Sequence, residues 1–396
     1  MKILQVVPYL FLSWAGDNPT LAVTYNLSKS LLDQGHQITI YTTDALNKGR
    51  KLKYPTEPLN THGVKVYEFK SMGSKLGERH RICISPAMIP VMAKQIATFD
   101  IIHLQEYRTF QNIVAHYYAK KHKIPYVLQA HGALPRIMAK HRLKQVYDKL
   151  WGYRLLKDAT RVIAITKIEA EQYKSMGVSE DKIEIVPNGI YLSEFENLPE
   201  RGEFRRKWGI NDSQKIILYL ARIHKIKGPD LLAKAFAGLS KEIDDAKLVI
   251  TGPDDGYLSS LKKLIADLEI SDKVLFTGPL YGREKLKAYL DADVYVLPSA
   301  YETFPITVLE ACACGIPIVV TDRCGIADVI DGQAGLVVPY EKEQLQHTLR
   351  HMLEDDKMRE RFSKKGKLLV REKFDWEKIA EQVERVYSTV VEERGC

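Results

Sequence analysis

The sequence predicts an α/β protein made of two successive doubly wound domains. Three observations carry this. Short apolar runs alternate with helical patterns from Ile3 to Val338, the mark of mostly parallel sheets with helices on both faces. The alternation breaks once, at Pro187-Asn188-Gly189 and the turn-rich stretch behind it, and then restarts. The 396 residues also suffice for about two or three domains of roughly 150 residues each. The expected boundaries are 1–195 for the first domain and 205–374 for the second, with a last helix over 375–396.

In the first half, Ile3–Val7 reads as a strand, Thr20–Gln34 as a helix stopped by Gly35, and His36–Tyr41 and Val64–Phe69 as strands. Ala87–Thr98 is helical, and Ile101–Leu104, Tyr126–Gln129 and Val162–Ile165 are short apolar strands. After the turn-rich 191–213, read as a linker, strands are expected at Lys215–Leu220, Lys247–Thr251, Lys273–Phe276, Val294–Leu297, Ile316–Val320 and Leu336–Val338. Helices fall between most of them, at Gly228–Leu239, Tyr257–Leu268 and Arg283–Leu290. Everything from Glu341 onward is helical, and Asp375 caps a last helix striped with Trp376, Ile379, Val383, Val386 and Tyr387.

Apolar content of 45% and charged content of 27% fit a globular chain with a large core. No run of about 18 apolar residues predicts a membrane span, and the N-terminus reads as a first strand, not a signal peptide. Five cysteines, with no Cys-x-x-Cys pair, read as reduced thiols of a cytoplasmic protein. The net charge of +8 is unevenly divided: residues 1–190 carry +12 and the rest −4. A basic half points to an anionic partner. Residues 136–161 concentrate it, with Arg136, Lys140, Arg142, Lys144, Lys149, Arg154, Lys157 and Arg161 interleaved with Leu143, Val146, Tyr147, Leu150, Trp151, Leu155 and Leu156. Such a basic amphipathic helix either packs its stripe on the sheet or meets an anionic membrane surface, which would make the protein peripheral at the inner face of the membrane. No nucleic-acid motif accompanies the charge, so nucleic acid is not expected as a partner.

Ligands on such sheets bind beyond the carboxyl ends of strands. In the first half that rule nominates the loop Gly16-Asp17-Asn18, Glu106 behind Ile101–Leu104, and His131 behind Tyr126–Gln129. In the second half it nominates Arg222 and Lys227, two cations around one loop that suit a diphosphate. It also nominates the stretch Pro298–Pro317. There Thr303 caps a helix opened by Pro305 and closed by Gly315, Glu302 lies ahead of it, and Glu310 lies inside it. Two cations for phosphate and two carboxylates for hydroxyls describe a sugar nucleotide. Asp291-Ala292-Asp293 imitates a metal-diphosphate signature. It sits at a helix–strand junction, reads as structural, and leaves no essential metal or cofactor expected.

Glu302-x7-Glu310 within Pro298-Ser299…Gly315-x-Pro317, together with Arg222-x4-Lys227-Gly228, Pro187-Asn188-Gly189-Ile190 and Gly335-Leu336-Val337-Val338, resembles the retaining group 1 (family four) glycosyltransferases. The likeness implies the GT-B fold: two Rossmann-like domains facing across a cleft, with the last helix crossing back to the first. It implies a retaining hexosyltransferase that moves a sugar from a UDP-, GDP- or ADP-sugar to a glycan or lipid-linked acceptor, in cell-envelope polysaccharide or glycolipid biosynthesis. By resemblance, His131, Arg222, Lys227 and Glu302 are the catalytic set. Gly16, Thr303, Phe304, Pro305, Ile306, Glu310 and Leu280 meet the donor, with Leu280 in the turn that holds the base. Asp17, Asn18 and Glu106 are acceptor-side candidates. The chain departs from the pattern at Asp17-Asn18, Ala221 and Cys324-Gly325-Ile326-Ala327-Asp328, and none of these departures replaces Arg222, Lys227, Glu302 or Glu310. The alternatives are a sugar-nucleotide epimerase or phosphorylase-like enzyme on this fold, and a non-catalytic partner subunit.

Overall fold

The computed structural model describes residues 1–9, 19–44, 58–72, 83–136 and 140–395. The chain forms two compact units. One comprises Met1–Asn188 and Trp376–Cys396, the other Gly189–Asp375.

The first unit holds strands β1 (Lys2–Val6), β2 (Gln37–Thr43), β3 (Leu59–Thr61), β4 (Val64–Phe69), β5 (Ile101–Gln105), β6 (Tyr126–Gln129), β7 (Arg161–Ala164) and β8 (Ile183–Ile185). Their order is β3-β4-β2-β1-β5-β6-β7-β8, parallel except for β3 on the edge. Order reverses between β1 and β5, and both strands are almost wholly buried, as helices covering both faces require. The helix Trp376–Gly395 belongs to this unit: Trp376, Ile379, Val383, Tyr387 and Val390 are buried against it. It packs on the helix Pro19–Asp33 and reaches β5, where Tyr387 bonds His103 at 2.6 Å.

The second unit holds β9 (Lys215–Leu220), β10 (Ala246–Thr251), β11 (Val274–Gly278), β12 (Val294–Leu297), β13 (Ile318–Thr321) and β14 (Gly335–Val338), ordered β11-β10-β9-β12-β13-β14 and all parallel. This is the doubly wound arrangement, with its reversal between β9 and β12.

One sequence expectation needs correction. Residues 191–213 are not a free linker: they carry a helix, Glu203–Trp208, and Phe204 and Ile210 are buried in the second core. The change of unit comes earlier, where the Ile190 N–H bonds the Phe374 carbonyl at 2.8 Å. In the basic stretch the apolar stripe divides. Leu155 and Leu156 are buried, whereas Leu143 is 61% exposed, Val146 52%, Leu150 51% and Trp151 41%. The cause is a wide helical turn over Asp148–Gly152. Asp148, fully buried, accepts two bonds from Arg108 at 2.8 Å and one from Arg136 at 2.9 Å. Among the described residues no helix is long and apolar enough to cross a membrane.

Candidate active site

In the second unit the loops after β9, β10, β11 and β12 rise from the carboxyl ends of parallel strands. Gly228 stands at φ +69°, and a Cβ there would lie 1.9 Å from the Pro298 carbonyl oxygen, so only glycine allows the β9 loop to touch the β12 loop. The Ala300 N–H bonds the Ile226 carbonyl at 2.8 Å and clamps the two loops. Lys227 thereby meets Glu302 in an ion pair across the strand-order reversal, with side chains 15% and 12% exposed. Gly252 makes a similar approach to Ala221, and the loop behind it brings Asp255 to an ion pair with Arg222.

Glu310 is also paired. Its Oε1 accepts from Lys285 Nζ at 2.7 Å and its Oε2 from the Tyr289 hydroxyl at 3.0 Å. Buried Tyr295 ties the carboxylates to one neighbourhood: burial holds its hydroxyl protonated, and Tyr219, Glu310 and Glu302 add to that while the Thr307 hydrogen bond opposes it. Tyr219 feels burial, then Glu302, in the same sense, against Arg222. Three of the four residues singled out in the sequence, Arg222, Glu302 and Glu310, thus act on a pair of buried tyrosines, and Lys227 joins them through Glu302. Each of the two carboxylates, and each of the two cations, faces an opposite charge.

The helix after Glu302 runs Ile306–Cys314, and Gly315 caps it in a left-handed conformation. Thr303 does not cap it. Pro305 occupies the cap position with extended backbone and no side-chain bond, while the Thr303 hydroxyl lies 3.3 Å from that of Tyr301. The first N–H groups of this helix therefore have no side-chain acceptor at the cap. Phe304 packs on Phe374, centroids 6.1 Å apart. Leu280 is partly buried in the turn between β11 and the helix Gly282–Asp291, and the Gly252 N–H bonds the Gly278 carbonyl at 3.1 Å, joining that turn to the Arg222 loop's neighbour. Asp291 accepts the N–H groups of Gly202 (2.5 Å) and Arg205 (2.9 Å), and Asp293 accepts that of Ile216 (2.8 Å), which gives Asp-x-Asp the structural role its position predicts.

In the first unit, His131 follows β6 with φ +51°, and Glu106 follows β5 with φ +67°. Both non-glycine residues hold left-handed conformations, which cost energy and cluster at functional sites. His131 Nε2 donates to Gln105 Oε1 at 2.5 Å. Burial pulls the imidazole down to about 4, so the ring is neutral at ordinary pH. Next to it, the Gly132 N–H is held at 2.5 Å by Glu169, whose carboxyl burial pushes up to about 7. Gly16, Asp17 and Asn18 lie outside the described residues.

Sequence reading missed Asp255, Lys285, Tyr289, Gln105 and Glu169. Gly252-Pro253 directly behind a strand was a usable sign of the Asp255 loop. Lys285 and Tyr289 gave none, because they reach Glu310 from another helix.

The family model of group 1 glycosyl transferases matches residues 200–369, and that of glycosyltransferase family 4 matches residues 22–194. An uncharacterized glycosyltransferase of Methanocaldococcus jannaschii is 30% identical over 385 residues, 93% of this chain and 94% of that one. The chain belongs to the group 1 glycosyltransferases. This glycosyltransferase is also 30% identical to the alpha-monoglucosyldiacylglycerol synthase of Streptococcus pneumoniae, over 74% of its own length and 65% of the synthase. It shares the GT-B fold, as a solved Anabaena protein, HepE in complex with UDP and glucose, superposes with a TM-score of 0.77 over 98% of this chain and 100% of that one, at 18% identity.

Proposed function

We propose that this glycosyltransferase is a retaining, metal-independent hexosyltransferase that uses a nucleoside-diphosphate sugar and delivers to a glycan or lipid-linked acceptor. The observation that carries the reading is the second unit's set of ion pairs at its strand-order reversal. A diphosphate offers Arg222 and Lys227 stronger acceptors than the carboxylates they now hold, and frees those carboxylates for hydroxyls. Glu302 then faces the sugar, Glu310 the ribose, and the first N–H groups after Pro305 meet sugar oxygens or phosphate. The HepE complex with UDP and glucose and the synthase's name support a nucleotide sugar and a lipid acceptor.

In this reading the transfer is a front-face reaction. The bond between the anomeric carbon and the diphosphate oxygen breaks, and the acceptor hydroxyl attacks from that same face. Its proton passes to the departing phosphate oxygen. Arg222 and Lys227 stabilise the charge that develops there. Both aspartates of Asp-x-Asp are spent on backbone N–H groups, so activity is expected to survive EDTA within about twofold.

The exposed Leu143, Val146, Leu150 and Trp151 beside exposed Arg142, Lys149, Arg154 and Lys157 fit an anionic lipid surface. Co-sedimentation with phosphatidylglycerol vesicles should be lost in Leu150→Ser/Trp151→Ser; undiminished binding by that variant contradicts the assignment.

The test of the activity is a panel of UDP-, GDP- and ADP-sugars with and without lipid and glycan acceptors. Product anomers are read by proton NMR. Donor consumed only with acceptor, and the anomeric configuration kept, supports the reading. Inversion, or isomerised donor without acceptor, overturns it.

A further inference from the structure

The first unit contains a set of buried polar side chains that the proposed reaction leaves unused. Gln5 on β1, His103 and Gln105 on β5 and Tyr387 on the last helix are all 0% exposed. They sit at the reversal of strand order, where β1 and β5 are neighbours. Buried polar groups of this kind need partners, and here they find each other.

The bonds run in one direction. His131 Nε2 donates to Gln105 Oε1 at 2.5 Å. Gln105 Nε2 donates to Gln5 Oε1 at 2.7 Å. Gln5 Nε2 donates to the Tyr387 hydroxyl at 3.3 Å, and Tyr387 donates to His103 Nδ1 at 2.6 Å. Turning one amide or moving one ring proton would set N–H against N–H, or oxygen against oxygen. The members can therefore reverse only together.

The direction is decided at the His103 end. Gln129 favours a proton on the His103 ring, and Gln129 Oε1 and His103 Nε2 are both buried without a hydrogen-bond partner. Gln105 Nε2 can only donate and lies against His103 Nδ1, so Nδ1 accepts, from Tyr387 as well, and the neutral ring carries its proton on Nε2. The second N–H of Gln105 points to that same nitrogen at 3.2 Å, again as donor to acceptor. Burial keeps both rings neutral, His103 near 3 and His131 near 4, so tautomer and not charge is what the chain controls.

We propose that Gln105, Gln5, Tyr387 and His103 are positioning residues that lock His131 in its Nε2–H tautomer, so that Nδ1 presents a lone pair to a hydroxyl of the substrate. Among the described residues His131 Nδ1 meets no hydrogen-bond partner. The consequence for transfer rests on His131 lying beside the reacting sugar. The tautomer itself does not rest on that reading. The chain also gives the last helix a chemical duty besides its apolar stripe: a residue 256 positions beyond His131 sets which nitrogen of His131 carries the proton.

The experiment uses the full chain labelled with 15N-histidine and long-range proton–nitrogen NMR, which distinguishes the two tautomers. Wild type is expected to show His131 protonated at Nε2. Tyr387→Phe removes the donor to His103 while keeping the ring, and Gln105→Leu cuts the chain at His131. Both should give mixed tautomers with melting curves that remain cooperative. In steady state, Gln105→Leu is expected to lower kcat about 10-fold with the donor KM nearly unchanged, and Tyr387→Phe to lower it less. An Nδ1–H form in wild type, or an unchanged tautomer in both variants, overturns the proposal whatever the turnover. Wild-type turnover in His131→Ala would instead remove His131 from the reaction, and the spectrum would still decide the tautomer.

Discussion

The two units solve the same problem with opposite electrostatics. At its strand-order reversal the first unit gathers neutral groups, Gln5, His103, Gln105 and Tyr387, joined by hydrogen bonds. At the same place in its own sheet the second unit gathers charges, Lys227 with Glu302 and, nearby, Arg222 with Asp255 and Lys285 with Glu310. The neutral set is completely buried, and each member is fixed by the others. The charged set is partly exposed and already paired, so it is stable without ligand and, in the proposed function, exchanges partners with a diphosphate. One unit is built to hold a geometry, the other to receive charge.

The sharpest way to break this contrast is to remove the cations. Lys227→Ala should lower turnover roughly 10²-fold or more, as loss of an oxyanion donor does. It should also destabilise the second unit by about 3–5 kcal/mol, because Glu302 would be left nearly buried and unpaired. Arg222→Ala should lose turnover comparably but less than about 1 kcal/mol of stability, since that pair is half exposed. Steady-state kinetics with chemical denaturation separate the two. Equal destabilisation would mean that the pairs differ less than their burial indicates.

Gly228→Ala should come next. It forces a Cβ against the Pro298 carbonyl at a left-handed backbone position, so the loop carrying Lys227 must move. Turnover is expected to fall more than stability, and a variant with wild-type kcat would show that the loop contact does not place Lys227.

The neutral set makes its own prediction through pH. His103 and His131 have folded values near 3 and 4, below the ordinary 6.5. Below 6.5 the unfolded chain binds protons that the folded chain refuses, so their contribution to stability is complete above that pH and is lost as pH falls toward 4. Glu169, raised to about 7 from 4.5, works oppositely between those values and blunts the slope. Urea midpoints from pH 7.5 to 4 should show the decline, and His103→Gln should flatten it. A slope unchanged by that substitution would mean His103 titrates normally.

The smallest effect is expected from Asp255→Asn. It releases Arg222 from its resting partner and should tighten nucleoside-diphosphate binding about threefold, in keeping with an exposed pair. Weaker binding would make Asp255 part of the ligand site and not a placeholder.

The contrast also explains what could be read in advance. The second unit's candidate site was legible as a cluster because Arg222-x4-Lys227 and Glu302-x7-Glu310 lie within two short stretches, and strand, loop and helix signals placed each at a strand end. The domain alternation and the last helix's apolar stripe were legible for the same local reason. The neutral chain was not: its members come from positions 5, 103, 105, 131 and 387, and a glutamine on a buried strand carries no local sign of its partner. Lys285 escaped similarly, since a lysine on an amphipathic helix looks solvated until the fold brings Glu310 to it. The division of the 143–156 stripe into buried and exposed parts was not legible, because helical periodicity assumes a regular turn and Asp148–Gly152 has a wider one.

We propose that the paired charges of the second unit are a diphosphate site. Calorimetric titration of the wild-type chain with UDP, GDP and ADP, each at low and at moderate salt, decides it. The expected result is saturable binding of one of them that weakens with salt and falls at least about 100-fold in Arg222→Ala/Lys227→Ala. No binding of any of the three, or equal binding by the double variant, would contradict it.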